Sequence, residues 1–234
     1  LMGILTPEGF TIYVTDPKLK AIVTNDTFKK KYNVTFIDLK KALLFLLESI
    51  DKNKGTLVAY SDYESDVIRN MFPSLEWNIP YLNLRTAAKK WINKYHKNTF
   101  ERLGPLRKGA DKFRQKNQRF SLASVMRLLP KEFRSDTDYA PGKTTKRINS
   151  LIQGLNNSRN DQSYHHLTPT KKRDATMLLK HNAFDVKALP SLVKEIFIED
   201  ERCLFSATKF ISNPATGTKE LCKLQKPKKE YENV

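Results

Sequence analysis

Apolar and polar positions along the first third of the chain predict strands and helices in turn. Residues 1–5 form a short apolar run, Thr-Pro-Glu-Gly follows as a turn, and residues 10–16 alternate between apolar and polar. This pattern predicts an antiparallel hairpin. The next predicted elements are a helix over 36–51, a compact buried strand over 56–60 and a short helix over 64–72. The order predicts an α/β fold in which a helix crosses over a sheet.

The remainder of the chain predicts mainly helices, over 84–96, 121–129 and 145–155. The longest begins with Thr168 as its N-cap and Pro169 as its first residue. We expect Pro190 to kink or restart this helix. Residues 1–200 then form one domain, and 201–234 form a basic C-terminal tail.

The composition points to a polyanionic partner. The chain has 234 residues, is 39% hydrophobic and carries a net charge of +17. Nucleic acid, DNA or RNA, is the default partner for such a charge; a lysine-rich surface that reflects an AT-rich genome is the alternative. No apolar run approaches the roughly 18 residues of a membrane span, and no signal peptide is recognised at the start. Two cysteines without metal spacing are typical of reduced thiols, so we expect a cytoplasmic, nucleic-acid-associated protein.

The positive charge is concentrated in a basic helical insertion predicted over about 85–165. Aromatic residues are interleaved with its lysines and arginines, a combination that suits single-stranded nucleic acid. The alternative is that the aromatic residues are the cores of short helices and the basic residues a solvated face. The predicted nucleic-acid-binding residues are Arg85, Lys89, Lys90, Trp91, Lys94, Arg107, Lys108 and Arg114.

One pair of chemically active residues lies in the longest predicted helix. His181 and Asp185 are four residues apart, so their side chains project from the same face. A carboxylate can hold a divalent cation, and an imidazole can orient or deprotonate a water beside it. Spacing alone favours the alternative of an ordinary His–Asp surface pair or cap.

A second set of acids follows the buried strand over 56–60. Asp62, Glu64 and Asp66 come just after its carboxyl end, where ligands collect in open α/β sheets. Acids favoured by the dipole of the following helix are the alternative explanation.

Together the two stretches "LVAYSDYESDVI" and "LLKHNAFDVKAL" resemble the second and third motifs of the DEDD exonucleases, most closely the YprB-type predicted nucleases. "FSLASVMRLL" resembles the helix between those motifs, and the likeness spans about residues 1–198. The resemblance implies a ribonuclease-H-like mixed sheet flanked by helices, and 3′–5′ exonuclease activity with two Mg²⁺ or Mn²⁺ ions. It also implies that Glu64 and Asp185 are catalytic metal ligands and that His181 activates water.

The sequence departs from that family at three places. His181 stands where this branch has tyrosine, and Asn83 stands where relatives often have an acid. The first motif, Asp-x-Glu on the family's first strand, is absent. The hairpin resembles the second and third strands of that family, so the resemblance places the strand with this motif upstream of Leu1. Three interpretations stay open: a nuclease domain completed by acids upstream of Leu1, a catalytically incomplete nucleic-acid-binding module of a larger polypeptide or complex, or a structural domain that docks on a larger nuclease, helicase or transposition machine.

Overall fold

The computed structural model describes residues 1–73, 78–104, 119–130, 144–156 and 163–211. In these ranges the chain is mixed α/β, with two three-stranded sheets. The strands are β1 (Met2–Thr6), β2 (Gly9–Val14), β3 (Val34–Phe36), β4 (Leu57–Ala59), β5 (Ile79–Asn83) and β6 (Thr208–Ile211). The helices are α1 (Asp26–Tyr32), α2 (Leu39–Lys52), α3 (Tyr63–Met71), α4 (Leu84–Trp91), α5 (Lys97–Leu103), α6 (Leu122–Val125), α7 (Thr144–Asn156) and α8 (Pro169–Phe205).

The first sheet has the order β1-β2-β3. β1 and β2 pair antiparallel from Met2–Tyr13 to Thr6–Gly9, which confirms the predicted hairpin. β2 then pairs in parallel with β3, which the sequence analysis did not predict. β1 is therefore one edge of this sheet.

The second sheet has the order β4-β5-β6. β4 and β5 are parallel, with Ala59 opposite Asn83, so their carboxyl ends meet at one edge. β6 pairs antiparallel with β5 and lies inside the segment that the sequence analysis assigned to the basic tail. The folded part of the chain thus extends to Ile211.

Helix α2 covers one face of the second sheet. The Asp38 side chain accepts a hydrogen bond from the backbone of Lys41 at 3.1 Å, which caps the helix. Leu43 and Leu47 are buried in a cluster with Ala59 of β4 and Tyr81 of β5, on which Met2 of β1 also packs. This cluster connects β1 to the second sheet.

Helix α8 runs along both sheets and has 37 residues, a length of about 55 Å. Its amino-terminal half, including Leu178 and Leu179, is buried in a cluster with β2 and α7. Its carboxyl-terminal half, including Leu192 and Ile196, is buried in a second cluster with α4. Neither α8 nor any other helix of the described ranges combines the length and apolar character needed to cross a bilayer.

The predicted restart at Pro190 is wrong: α8 continues through it and becomes irregular at Asp200, with φ −162° and ψ 92°. Pro190 is exposed, so water can solvate the carbonyl of Val186 that loses its hydrogen bond. The Asp200 side chain accepts from the backbone of Arg202 at 3.2 Å and so caps the final turn. Thr168 occupies the predicted N-cap position, but its side chain makes no capping hydrogen bond.

Replacing Gly3 by alanine should destabilise the fold, because α8 lies directly on β1 there. A Cβ at Gly3 would meet Asn182 Oδ1 and would lie 2.8 Å from Cγ2 of Val186, a stiff β-branched side chain. We expect Gly3→Ala to lower the free energy of unfolding by about 1–3 kcal/mol in urea titrations. Gly55→Ala is the control, because its nearest neighbours lie at 3.8 Å. Equal effects of the two substitutions would contradict the close contact.

Candidate functional site

His181 and Asp185 lie one turn apart on α8, as their spacing predicts. The His181 Nδ1 atom lies 3.3 Å from the Asp185 Oδ2 atom. The His181 side chain is 21% exposed and the Asp185 side chain 39%, so the carboxylate is the more accessible of the two.

The environment of His181 keeps the imidazole neutral. Burial lowers the pKa of His181 to about 4, and the positive charge of Arg147 acts in the same direction. Arg147 comes from α7, which packs along α8, and its Nε lies 3.8 Å from Oδ1 of Asp174. The His181 ring is therefore uncharged at neutral pH, and so low a pKa makes it a weak proton acceptor.

Glu64 lies in the first turn of α3, just after β4, and its side chain is exposed. Its Oε2 accepts a hydrogen bond from the Ser61 hydroxyl at 2.9 Å. Asp62 is 3.9 Å from the Lys209 ammonium of β6, and Asp66 pairs with Arg69 of its own helix. The three acids thus collect beyond the carboxyl end of β4.

Tyr81 of β5 stabilises the turn between β4 and α3 that carries these acids. Its hydroxyl donates to the Ser61 carbonyl, and its side chain is 1% exposed. Burial, followed by the charges of Glu64, Asp62 and Asp66, raises the pKa of Tyr81. The phenol therefore stays protonated and holds the turn that carries Glu64.

The described residues do not assemble these acids into a metal centre. Across the described ranges, no three His, Cys, Asp or Glu side chains lie close enough together to hold a metal ion. Glu64 bonds to Ser61 of its own turn, and Asp185 lies beside His181 on α8. Each of the two carboxylates thus contacts a residue of its own segment.

Two of the predicted nucleic-acid-binding residues have structural partners at the irregular end of α8. Lys94 lies in a π-helical turn (Ile92–His96), and its Nζ donates to Oδ2 of Asp200 at 2.6 Å. This bond raises the pKa of Lys94 to about 12. Trp91 is 3% exposed and donates its indole N–H to Glu199. The prediction that Trp91 is available for base stacking is wrong, because its ring is part of the core.

The other predicted basic residues that the structure describes lie in α4 and make different contacts. The Arg85 backbone N–H donates to the Tyr60 carbonyl at 3.1 Å, which joins α4 to β4. The Lys90 ammonium donates to the Ser206 carbonyl at 3.1 Å. Lys89 is exposed, and its ammonium lies 5.6 Å from the centre of the Phe120 ring. Arg107, Lys108 and Arg114 lie outside the described residues.

The sequence analysis did not predict three residues that influence the candidate site from other elements. The charge of Arg147 lowers the pKa of His181, and Tyr81 bonds to the turn that carries Glu64. Asp200 accepts a hydrogen bond from Lys94. Arg147 reaches α8 only through helix packing, and no local pattern signals that contact. Tyr81 belongs to a strand that was not predicted.

Comparison of the chain with protein-family models, with curated proteins and with solved structures gives no match.

The low pKa of His181 predicts a pH-dependent stability. Unfolding returns His181 to a pKa near 6.5, so between pH 6.5 and 4 the unfolded state binds a proton that the folded state does not. The free energy of unfolding should therefore fall by up to about 3 kcal/mol as the pH is lowered through this window. Urea titrations across the window should show a smaller fall for His181→Gln. Parallel curves for both proteins would contradict the burial of a neutral imidazole.

Lys89 and Lys94 should respond differently to substitution. Lys94→Gln removes the ammonium from buried Asp200, so we expect a lower melting temperature by calorimetry. Lys89→Gln should leave the melting temperature unchanged, because the exposed Lys89 ammonium lies over the Phe120 ring rather than beside a buried carboxylate. An equal fall in the melting temperature of both variants would contradict this difference.

Proposed function

We propose that this chain is a ribonuclease-H-like nuclease domain that hydrolyses phosphodiester bonds of DNA or RNA. The observation that carries the proposal is the His181–Asp185 pair: a neutral imidazole beside a partly exposed carboxylate on one helix face. The likeness of this helix and of the Glu64 stretch to the DEDD exonuclease motifs supports it. That likeness also favours release of nucleotides from a 3′ end.

His181 would act as the general base. The ring accepts a proton from a water molecule, the water oxygen attacks phosphorus, the P–O bond to the leaving sugar oxygen breaks, and that oxygen takes up a proton from solvent while the ring returns its own to solvent. Because the pKa of His181 is about 4, the ring is unprotonated at neutral pH, but it accepts a proton less readily than an imidazole with the ordinary pKa. Asp185 lies beside the ring, with its Oδ2 atom 3.3 Å from Nδ1.

The residues described do not by themselves fit a two-metal centre. Glu64 and Asp185 supply carboxylate oxygens, the ligands that Mg²⁺ and Mn²⁺ prefer. Two ions about 3.5–4 Å apart nevertheless need several carboxylates, and no group of three candidate ligands occurs in the described ranges. A complete centre would stabilise charge on the attacking and leaving oxygens, and it requires further acids from outside the residues described.

A non-catalytic nucleic-acid-binding module is the second candidate. The observation that favours it is this same lack of a third ligand among the described residues. The net charge of +17 supports nucleic-acid binding in both proposals. The neutral histidine beside a carboxylate has no evident use in a module that only binds.

Nuclease assays on labelled single-stranded DNA and RNA with Mn²⁺ test the proposal. We expect cleavage by the chain, loss of cleavage in Asp185→Asn, and a rate lower by roughly 10²–10⁴-fold in His181→Gln. Glu201→Gln is the matched control, since it removes an exposed carboxylate from the same helix.

The two candidates give different results. Salt-sensitive binding without cleavage, equal in the chain and in Asp185→Asn, would support the binding module or a nuclease domain whose further acids lie upstream of Leu1. Cleavage that survives in Asp185→Asn would reject the proposed site, and binding that does not weaken with salt would reject both candidates.

A further inference from the structure

A row of basic side chains runs along the outer face of α8. Within residues 171–196, the most exposed residues are Arg173, Lys180, Lys187, Pro190 and Lys194. All of them except Pro190 are basic, and the four basic residues are spaced seven residues apart. Seven residues fall about 20° short of two helical turns, so the four side chains project within about 60° of one another. This set, called the basic row from here on, extends over about 32 Å of the helix.

The basic row differs from an ordinary solvated helix face in the sign of its charges. Ordinary faces often place an acid three or four residues from a lysine, because the pair stabilises the helix. Helix α2 follows this rule: Lys52 comes four residues after Glu48, and the Lys54 ammonium that follows the helix lies 3.6 Å from Asp51. No member of the basic row has an acid three or four residues away on either side.

The acids of the same stretch of α8 point elsewhere. Asp174, Asp185 and Glu195 each lie about 100° or more around the helix from the nearest member of the row. Asp174 is 3.8 Å from Arg147, and Asp185 lies beside His181. Neighbouring charges of the row are about 10 Å apart, which is close to the Debye length at 0.1 M salt. They therefore repel one another at low salt, and a bound polyanion relieves that repulsion.

Residues of β2 and α1 lie beside the middle of the row. The Lys187 ammonium is 4.8 Å from the centre of the Phe10 ring, a cation–π contact that orients it. The Lys31 ammonium of α1 is 5.6 Å from the centre of the Tyr32 ring. Burial raises the pKa of Tyr32, and the nearby charge of Lys180 acts in the opposite direction. Lys31 and Lys180 thus both lie near Tyr32, so the first sheet adds a further cation beside the row.

The row suits the backbone of a duplex better than a single strand. Surfaces that bind single strands combine cations with exposed aromatic rings on which bases stack. Between residues 173 and 194 no such ring is exposed, because Phe184 packs on the cluster that contains Leu192. Lysine and arginine without such rings neutralise phosphates. The length of the row is close to one turn of B-form DNA, which is about 34 Å.

We propose that the basic row binds the phosphate backbone of double-stranded nucleic acid, independently of base sequence, with each of its four side chains neutralising one phosphate. The proposal rests on the nucleic-acid binding of the proposed function, but not on cleavage. The row lies about 100–160° around α8 from His181 and Asp185. A duplex on the row therefore leaves that pair uncovered, and the row is a second surface of the same helix.

Removal of the four charges tests the proposal. The row variant combines Arg173→Gln, Lys180→Gln, Lys187→Gln and Lys194→Gln. The matched control removes the same charge from exposed lysines on and just after α2, as Lys40→Gln, Lys41→Gln, Lys52→Gln and Lys54→Gln. Helix α2 lies on the opposite face, because Met2 packs on its cluster whereas the next residue, Gly3, contacts α8.

Fluorescence anisotropy measures binding of a labelled DNA duplex of about 20 base pairs, roughly twice the length of the row. EDTA prevents metal-dependent cleavage, and melting temperatures confirm that each variant is folded. The slope of log affinity against log salt should fall by about three to four units in the row variant and by about one or less in the control. A third variant, which combines Lys180→Arg, Lys187→Arg and Lys194→Arg, should bind as the unchanged chain does, because it keeps the charges.

Four results would overturn the proposal. Equal slopes in the row variant and the control would mean that net charge alone governs binding. An effect on a single strand as large as that on the duplex would reject the assignment to a duplex. Loss of binding to phosphatidylserine vesicles, with duplex binding retained, would identify a membrane-binding face instead. Absence of duplex binding by the unchanged chain would also reject the row, whereas Mn²⁺-dependent cleavage of single strands would still support the proposed function.

Discussion

The burial of α8 is the interaction on which the rest of the molecule depends. One helix contributes to two hydrophobic clusters, first with β2 and α7 and then with α4. His181 and Asp185 lie near the middle of the helix, where it passes from one cluster to the other. The apolar residues on either side fix the helix in place, and this fixes the orientation of the imidazole and the carboxylate.

Two acidic residues near the end of α8 accept hydrogen bonds from α4 and from the π-helical turn that follows it. Glu199 and Asp200 accept hydrogen bonds from the indole of Trp91 and the ammonium of Lys94. They hold α4 and its π-helical turn against α8, so part of the positive charge is neutralised inside the fold. Such an ion pair contributes nothing to the net charge, so the +17 is carried by other basic residues, and exposed Lys89 is a better guide to that surface than Lys94.

Elements with a long, regular pattern could be predicted from the sequence. The hairpin, α2 and α8 have many residues that agree on one period, and the spacing of His181 and Asp185 follows from it. β5 was missed because it is short and contains Pro80, and β6 because it lies in a lysine-rich context. Burial of Trp91 and the effect of Arg147 on His181 arise from packing between distant segments, which residue type and spacing do not encode.

The pairing of β6 with β5 has a consequence for the order in which the chain folds during synthesis. Ile79 is partnered by Ile211, about 130 residues later. At ~5–20 residues per second a ribosome needs on the order of ten seconds to make that stretch. During this interval neither β6 nor all of α8 is available, so the nascent second sheet lacks its antiparallel strand and the helix that covers it. The amino-terminal half therefore keeps apolar surface exposed during this interval. This is the stage of synthesis at which chaperones find the largest apolar surface to bind.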